Sequence, residues 1–323
     1  MKILLTGATG FLGFRTLEVL VQLPEVSQVI ATGRTLKPSH TVEHPKVRYV
    51  LGDLTHQEFV QSIAAQAEYI VHAAALSSPW GSYASFEAAN LITQQHLIKA
   101  ALEHRIKRFV FISTPSMYFT GNDRFDIKES DPLPRQMVNA YSQTKRLAEV
   151  ELEQSGIAYV TLRPRALIGR GDTVIMPRII RAQQEGRLKV IGNGKNIVDL
   201  TSVANVADAI VLALTTQTGL NETYNITNGE PVKLWEKIAM VLQLLGKEVP
   251  TAQVPYWVVW AAAGAMELSA KLTGGKEPVL TKYGVGVLAK SMTMNISKAQ
   301  KLLGYSPKVS TDEAIREFVE WFV

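Results

Sequence analysis

An α/β fold, with a parallel sheet covered by helices on both faces, is predicted by two features of the sequence. Short apolar runs rich in β-branched residues alternate with amphipathic stretches through the first half of the chain. Near-continuous apolar strands between helices are typical of parallel sheets that are buried on both sides. The predicted strands are KILLT, QVIAT, VRYVL, EYIVHAA, RFVFIST and AYVTLR, and the predicted helices cover residues 11–23, 55–65, 83–103 and 140–154.

The second half of the chain has a less regular pattern. Helices are predicted at residues 174–186, 203–216 and 234–246, strands at KVIG and ETYNIT, and a helix-rich tail at 254–323. We expect residues 1–163 to form a nucleotide-binding domain to which parts of about 196–227 return. Residues 164–323 would mostly form a smaller, discontinuous substrate lobe over the carboxyl edge of the sheet, where open α/β sheets bind their ligands.

Composition narrows the class of protein. The 323 residues are 46% hydrophobic and carry a net charge of +5, from 34 basic and 29 acidic residues. This charge is too small and too scattered to indicate a nucleic-acid partner, but it suits an anionic cofactor. The absence of cysteine excludes disulfides, thiolate metal sites and cysteine nucleophiles. The first residues lead directly into polar, glycine-rich sequence, so a cytoplasmic location is expected.

A glycine-rich turn joins the first predicted strand to the first predicted helix. The segment ILLTGATGFLG places Gly7, Gly10 and Gly13 there, with G-x-x-G-x-x-G spacing. Glycines at this point allow a tight turn and let backbone N–H groups approach a pyrophosphate at the positive end of the helix. The turn therefore predicts a dinucleotide site in a Rossmann-type, doubly wound sheet.

The second strand indicates which dinucleotide binds. A site for NAD is expected to hold the ribose with an acidic residue about 20 positions after the glycines. This chain has Arg34 in ATGRT instead, with Lys37 close by. A guanidinium suits a 2′-phosphate, so NADP(H) is predicted in preference to NAD(H), although a solvated surface arginine is the alternative. Asp53, in GDLT, would accept from the adenine amino group or cap the helix predicted at Thr55.

Tyr141 and Lys145 are four residues apart in NAYSQTKRLAEVEL and share one helix face. A neighbouring ammonium would lower the pKa of a tyrosine from its ordinary value of about 10, so the pair could move a proton at a carbonyl oxygen. Such a pair also fits any amphipathic helix. Hydroxyls at the end of the RFVFIST strand, on Ser113, Thr114 and Ser116, lie at the edge of the sheet where a substrate oxygen would bind.

These motifs together resemble the extended short-chain dehydrogenase/reductase superfamily over essentially the whole chain. They are TGxxGxxG, Tyr-x-x-x-Lys and the Arg-Pro pair after the sixth strand. STPSMY, LRPRALIGRGD, GNGKNIVDLTSVANVADAI and YNITNGEPVKLWE are most similar to the 3β-hydroxysteroid dehydrogenase-like branch. That branch includes sterol-4α-carboxylate 3-dehydrogenases and bacterial 2-alkyl-3-oxoalkanoate reductases, and the reductases are the more similar.

The resemblance implies roles for individual residues. Tyr141 would be the general acid/base, Lys145 would bind the nicotinamide ribose, and Thr114, in place of the usual serine, would bond the substrate oxygen. The implied cofactor contacts are Gly7, Thr9, Gly10, Phe11, Leu12, Gly13, Arg34, Asp53, Leu54, Ala73, Ala74, Ala75, Asn90, Tyr141, Lys145 and Pro164. A capping or core amide is the alternative for Asn90. The predicted substrate contacts are Ser116, Trp80, Arg165, Trp257 and Trp260, and no metal is assigned.

The longest apolar run, VPYWVVWAAAGAM at residues 254–266, has two interpretations. Its 13 residues span roughly 20 Å as a helix, which is too short for a bilayer core of about 30 Å. It would be a buried helix of the small lobe, or the wall of a channel for an acyl chain or sterol. The residues of such a wall are Trp257, Trp260, Met266, Tyr283 and Val287. In a variant of the second interpretation, Tyr256 and the tryptophans contact a membrane surface peripherally.

The sequence therefore predicts hydride transfer between NADP(H) and a ketone or secondary alcohol on a hydrophobic molecule, a 3-oxo acyl (β-keto acid) or 3-ketosteroid-like substrate. One alternative is a nucleotide-sugar epimerase or dehydratase, in which Arg163, Arg165 and Arg170 would serve a diphosphate. The other is an NADP(H)-binding redox sensor without chemistry. The resemblance also implies a homodimer that pairs through the helices at 83–103 and 140–154.

Overall fold

The computed structural model describes residues 1–273, 275 and 277–323. In chain order, the strands are β1 (Lys2–Thr6), β2 (Gln28–Thr32), β3 (Val47–Tyr49), β4 (Tyr69–His72), β5 (Arg108–Ile112), β6 (Arg124–Ile127), β7 (Tyr159–Pro164), β8 (Leu167–Ile168), β9 (Val190–Ile191), β10 (Ile197–Val198), β11 (Thr201–Ser202), β12 (Glu222–Ile226), β13 (Val232–Lys233), β14 (Gln253–Val254) and β15 (Met292–Met294).

The helices, also in chain order, are α1 (Phe11–Leu20), α2 (Gln57–Ala64), α3 (Tyr83–Phe86), α4 (Thr93–Glu103), α5 (Ala140–Glu153), α6 (Ile175–Gln184), α7 (Val203–Thr215), α8 (Leu234–Leu244), α9 (Tyr256–Leu272), α10 (Lys282–Ala289), α11 (Ser297–Leu303) and α12 (Thr311–Phe322). Short 3₁₀ turns cover Pro38–His40 and Pro115–Tyr118, and a π-helical segment covers Glu87–Ile92.

The large sheet confirms the predicted α/β fold. Across the described residues it has seven strands in the order β12-β7-β5-β4-β1-β2-β3, and every neighbouring pair is parallel. The chain leaves β1 toward β2 on one side and later returns to β4 on the other. The carboxyl ends of β1 and β4 therefore flank the crevice at which doubly wound sheets bind dinucleotides.

Two apolar layers cover the sheet, because successive strand residues point to opposite faces. Leu5 packs in the core beneath α1, α7 and α11, whereas its neighbour Leu4 packs in the core beneath α2, α4 and α5. Both side chains are fully buried. Helices on both faces bury both sets of strand residues, and this arrangement leaves the ends of the strands for ligands.

The remaining elements form a second core beside the sheet, made chiefly by α6, α8, α9, α10 and α12. A four-stranded sheet, β13-β10-β15-β6 in the described residues, accompanies it. Segments cross between the two parts: β6 comes from the first half of the chain, while α7 and β12 of the second half lie on the large sheet. The sequence did not predict β6, β10, β13 or β15, because strands of two to four residues show no periodicity.

The apolar helix α9 packs on the second core through one side only, and much of it is exposed. Ala263 and Ala270 are its buried residues, whereas Trp257 is 72% exposed, and Leu268 and Leu272 are exposed as well. The interpretation of the run at residues 254–266 as a buried helix is therefore wrong. In the described part of the chain, no helix is both long and apolar enough to cross a membrane.

Candidate active site

The glycine turn brings β1, α1 and the end of β4 into close contact. Gly7 has φ +70°, and a Cβ atom there would lie 2.7 Å from the backbone nitrogen of Ala74. A Cβ atom on Gly13 would lie 2.0 Å from the carbonyl oxygen of Gly7. Any side chain at these positions would push the elements apart, so the close approach requires glycine.

The first turn of α1 presents free backbone donors to this crevice. Gly10 is the N-cap, donates its N–H to the Gly7 carbonyl oxygen at 2.9 Å, and supplies no side-chain cap. The first N–H groups of a helix have no partner within the helix. Here they belong to Phe11, Leu12 and Gly13, and the turn carries no acidic residue. The cradle at Gly7 and these donors fit the pyrophosphate of a dinucleotide.

The end of β2 contains a glycine whose role the sequence analysis missed. A Cβ atom on Gly33 would lie 2.2 Å from Oγ1 of Thr9, so Gly33 lets the glycine turn pack against β2. Its position directly before Arg34 in ATGRT was the available signal. The Arg34 side chain is exposed at the same edge of the sheet.

Asp53 caps the turn after β3. Its Oδ1 accepts hydrogen bonds from the backbone N–H of Thr55 at 2.9 Å and from the Thr55 hydroxyl at 2.8 Å. These bonds, with a smaller contribution from Arg34, lower the pKa of the Asp53 carboxyl. Asp53 therefore caps the turn at Thr55, as one of its two predicted roles required. The helix itself, α2, begins two residues later than predicted, at Gln57. The neighbouring Leu54 is buried, and a contact of Asp53 with adenine stays a prediction.

Tyr141 lies in the first turn of α5, whose N-cap Asn139 accepts from the N–H of Ser142 at 2.9 Å. Part of the Tyr141 ring is open, but the hydroxyl is enclosed. Burial raises the pKa of Tyr141, and hydrogen bonding with Ser77 and Thr114 opposes the rise. Thr114, at the end of β5, also donates to the hydroxyl of Ser116 at 3.0 Å. Tyr141 and Thr114, both predicted site residues, are therefore neighbours. Ser77 also lies beside the Tyr141 hydroxyl and was not predicted from the sequence.

Lys145 lies one turn further along α5 and is buried. Its Nζ donates to the carbonyl oxygen of Ile112 at 2.6 Å and lies 3.9 Å from the centre of the Phe111 ring. Burial lowers the pKa of Lys145 to about 7, against the opposing effect of Glu149. Desolvation of the enclosed hydroxyl dominates and raises the pKa of Tyr141, and a lowering of that pKa by Lys145 stays a prediction.

We expect Lys145→Met to stabilise the cofactor-free protein by roughly 2–4 kcal/mol at pH 6, since it removes a buried ammonium. The folded-state pKa of about 7 lies below the unfolded value of 10.5, so the folded state resists protonation. The cost is full below pH 7 and disappears as the pH rises toward 10.5. Thermal unfolding at pH 6 and at alkaline pH measures this difference.

Lys99→Met, which removes an exposed lysine from the neighbouring α4, is the control and should change the melting temperature little. A Lys145→Met variant that is less stable than the wild type at pH 6 would contradict the account.

Asn90 connects the two halves of this site. It is buried in the π-helical segment, and its Oδ1 accepts from the Leu76 N–H at 2.8 Å. Its Nδ2 donates to the carbonyl oxygen of Leu76 and to Oγ1 of Thr144, both at 3.2 Å. Asn90 therefore acts as a core amide that ties the loop after β4 to α5, and direct cofactor contact stays a prediction. π-Helical turns of this kind are frequent at functional sites.

The other predicted cofactor residues lie at the carboxyl edge of the sheet. Ala73, Ala74 and Ala75 follow β4, and Pro164 is the last residue of β7. The structure thus places them with the glycine turn and Tyr141 on one side of the molecule.

Three arginines follow β7, and their partners differ. Arg163 is buried in an ion pair with Glu149, with Nε and Nη2 at 2.8 and 2.5 Å from its oxygens. Arg170 pairs with Glu18 on α1 and reaches Glu317 on α12. Arg165 is 6% exposed, and no hydrogen bond from its guanidinium is found in residues 1–273, 275 and 277–323. Binding of a diphosphate was considered for all three arginines. Because carboxylates already engage Arg163 and Arg170, Arg165 alone could fill that role.

The small lobe contributes Tyr283, on α10, to the catalytic region. Burial raises the pKa of its hydroxyl, while Arg165 and hydrogen bonding with Ser116 lower it. Tyr141 also raises the pKa of the Tyr283 hydroxyl, so the two tyrosines lie close enough to interact electrostatically. From the sequence, Tyr283 was expected in a channel wall only, because nothing along the chain indicates that positions so far apart meet.

A cleft of about 550 Å³ lies between the two parts of the molecule beside Tyr141. Its walls are Pro79, Trp80, Gly81, Phe86, Phe119, Thr120, Gly121, Pro134, Gln136, Met137, Val138, Asn139, Ala140, Trp260, Glu267, Lys271, Lys282 and Tyr283. The predicted Trp80 and Trp260 are both in this lining. Trp257 is not part of this lining, because it lies on the exposed side of α9 and projects into solvent. Peripheral membrane contact by that side, pairing into a homodimer and a cytoplasmic location all stay predictions.

The glycine turn, the Tyr-x-x-x-Lys helix and the hydroxyl at the end of β5 define an enzyme of the extended short-chain dehydrogenase/reductase class. The chain belongs to the NAD dependent epimerase/dehydratase family, whose model matches residues 3–227. A nicotinamide dinucleotide is therefore the class of cofactor.

Two relatives that align with nearly the whole of this chain are named as ketone reductases. The chain is 30% identical to the 4-hydroxy-2-methyl-3-oxo-4-farnesyl-3,4-dihydroquinoline-1-oxide ketoreductase of Stigmatella aurantiaca, over 98% of this chain and 95% of that one. It is 31% identical to the 2-alkyl-3-oxoalkanoate reductase of Shewanella oneidensis, over 96% and 84%. Among solved structures, UDP-glucose 4-epimerase from Thermotoga maritima superposes with a TM-score of 0.79 at 22% identity, over 100% and 98% of the chains. That likeness shows the shared fold.

Proposed function

We propose that the protein is an NADP(H)-dependent oxidoreductase that interconverts a ketone and a secondary alcohol on a hydrophobic substrate, a 3-oxo acyl (β-keto acid) or 3-ketosteroid-like molecule. One observation carries the proposal. The Tyr141 hydroxyl is enclosed and flanked by Thr114. The centre of the Tyr141 ring lies 6.3 Å from that of Phe86, which lines the cleft together with Trp80, Phe119 and Trp260. A proton donor next to an aromatic cleft suits the reduction of a ketone on a hydrophobic molecule.

The chain's own residues supply binding and a proton. When bound, the nicotinamide supplies the hydride. The raised pKa keeps Tyr141 protonated near neutral pH, which is the form that can donate to a ketone oxygen. Thr114 would donate to the same oxygen and stabilise the negative charge that develops there. Lys145, fixed by the Ile112 carbonyl, would hold the ribose.

The residues proposed to hold the cofactor lie along the carboxyl edge of the sheet. They are Gly7, Thr9, Gly10, Phe11, Leu12, Gly13, Arg34, Asp53, Leu54, Ala73, Ala74, Ala75, Asn90, Tyr141, Lys145 and Pro164. The preference for NADP(H) is supported by the exposed Arg34 and by the lack of an acidic side chain at Gly33. A carboxylate there would repel a 2′-phosphate, whereas a guanidinium binds it through charge-assisted hydrogen bonds.

We expect Arg34→Ala to weaken NADPH binding by about 10- to 100-fold and NADH binding hardly at all, because only NADPH has the phosphate. Fluorescence titration of both reduced cofactors measures the two affinities. Arg48→Ala, which removes an exposed guanidinium from the neighbouring β3, is the matched control. An equal loss for both cofactors, or no loss, would show that Arg34 does not read the phosphate.

The substrate class is tested by NADPH oxidation with 3-oxodecanoate, a 3-ketosteroid and UDP-glucose. Turnover with either of the first two supports the proposal. Conversion of UDP-glucose to its epimer in a parallel assay with NADP⁺ or NAD⁺, without net reduction of the dinucleotide, would instead support the epimerase alternative. Against that alternative, Arg163 and Arg170 are engaged by carboxylates and are not free to bind a diphosphate. Against the redox-sensor alternative, Tyr141 and Lys145 are both present. Tyr141 neighbours Thr114, and Lys145 bonds the Ile112 carbonyl at the end of the same strand.

A further inference from the structure

Arg165 carries a buried cation that makes no ion pair in the described residues. Its side chain is 6% exposed, and its Nε is enclosed without a partner. In the described part of the chain, no carboxylate lies within ion-pair distance of it. The buried carboxylate of Asp199 influences Arg165 electrostatically from beyond ion-pair distance. Its Oδ2 accepts the Met294 N–H at 2.6 Å, and its Oδ1 has no hydrogen-bond partner among the residues that the structure describes. A buried charge is unfavourable unless it is paired, so this guanidinium is prepared to receive an anion.

The backbone holds Arg165 in a fixed position. Its N–H donates to the carbonyl oxygen of Ile226 at 3.3 Å, and its carbonyl oxygen accepts from the hydroxyl of Thr201. It directly follows Pro164, the last residue of β7, whose own φ angle is fixed by the proline ring. A guanidinium on such a support could bind a carboxylate through two parallel hydrogen bonds.

The anion is not supplied by the dinucleotide. Arg165 follows β7, which is separated from β1 by β5 and β4. Three strand spacings of roughly 4.8 Å place it about 14 Å from the pyrophosphate cradle after β1. Arg34 lies further away still, beyond β1 at the end of β2. The anion that binds Arg165 must therefore belong to the other reactant.

A chain of neighbouring groups connects Arg165 to the reaction. The positive charge of Arg165 lowers the pKa of the Tyr283 hydroxyl, and so does hydrogen bonding between that hydroxyl and Ser116. Ser116 accepts a hydrogen bond from Thr114 at 3.0 Å, and Thr114 neighbours the Tyr141 hydroxyl. β5 and β7 are neighbouring strands with Ile112 opposite Leu162, so Thr114 and Arg165 follow adjacent strand ends. An anion at Arg165 would therefore lie at the same edge of the sheet as a ketone oxygen bound between Thr114 and Tyr141.

We propose that Arg165, with Tyr283 beside it, binds a carboxylate of the substrate, so that the enzyme selects hydrophobic oxo acids with the acid group close to the ketone. This inference rests on the proposed reductase function and narrows it to anionic substrates. It makes Arg165 a specificity-determining residue, distinct from the proton donor Tyr141.

The test compares freshly prepared 3-oxodecanoate with its uncharged methyl ester, using NADPH and the full-length protein. The wild type should reduce the acid with the higher kcat/KM. Arg165→Met should lower kcat/KM for the acid by about 100-fold and for the ester by less than about 3-fold. Arg178→Met, which removes an exposed guanidinium from α6, should leave both values unchanged. Equal wild-type activity on acid and ester, or an equal fall on both in Arg165→Met, would overturn the inference while leaving the reductase function standing.

A binding measurement decides the inference without turnover. Calorimetry of the NADP⁺-loaded protein compares decanoate with decan-1-ol, which has the same chain and no charge. We expect decanoate to bind at least about 10-fold more tightly to the wild type and this preference to vanish in Arg165→Met. Similar affinities for both ligands in the wild type would overturn the inference. Failure to reduce either ketone would refute the proposed function instead.

Discussion

Tyr141→Phe should reduce ketone turnover by about 10³-fold or more, the upper range for a lost general acid. The phenyl ring keeps the packing of the first turn of α5 but removes the proton that would pass to the ketone oxygen. Thr114 remains as a hydrogen-bond donor and cannot replace the lost acid, because its hydroxyl is far less acidic than a phenol. Steady-state kinetics with NADPH and 3-oxodecanoate measures the loss.

The same variant should bind NADPH within about 3-fold of the wild type, since the glycine turn and Arg34 are untouched. Tyr83→Phe, which alters a 40% exposed tyrosine on α3, is the control and should retain full activity. Turnover by Tyr141→Phe within 10-fold of the wild type, on the order of an ordinary hydrogen-bond loss, would contradict the role of Tyr141.

Glu149→Gln should be the most destabilising single change at the site, at about 3–5 kcal/mol, because it leaves the Arg163 guanidinium buried without its counter-charge. Arg163 is 4% exposed and Glu149 is fully buried, so water cannot replace the lost partner. The Tyr118 hydroxyl, which accepts from Arg163, cannot neutralise the charge. Urea unfolding monitored by circular dichroism measures the free energy of unfolding.

A second variant separates the buried charge from simple packing. The double change Glu149→Met with Arg163→Met removes both charges and should recover most of the lost stability. Glu153→Gln, on the solvent side of the same helix, should cost less than about 1 kcal/mol. A double variant as unstable as Glu149→Gln would show that the ion pair is not the cause.

Local sequence patterns were sufficient to predict the nucleotide end of the fold. β1 and β2 match KILLT and QVIAT because each is an apolar run that ends at a turn next to glycine. The Tyr141–Lys145 pair was predictable because helical spacing alone puts both on one face. Family resemblance supplied the roles of these residues, and the structure places Thr114 beside Tyr141 as the resemblance implied.

Contacts between distant segments were not predictable. Tyr283 reaches Ser116 from another part of the chain, and the buried partner of Arg163 lies on α5. Local sequence shows three arginines after β7, but tertiary partners decide that Arg165 alone lacks an ion pair in the described residues. The run at residues 254–266 was misleading for a related reason. Its composition matches a buried helix, while packing leaves one side of α9 exposed.

The most direct test of the central claim is isotope transfer from the cofactor. The protein is incubated with 3-oxodecanoate and NADPH that carries deuterium at both C4 positions of the nicotinamide, and the product is analysed by mass spectrometry. The account predicts 3-hydroxydecanoate with deuterium on the carbinol carbon, in step with the NADPH consumed and absent with Tyr141→Phe. 3-Hydroxydecanoate without deuterium on the carbinol carbon, or no transfer of deuterium from NADPH to 3-oxodecanoate, would contradict it.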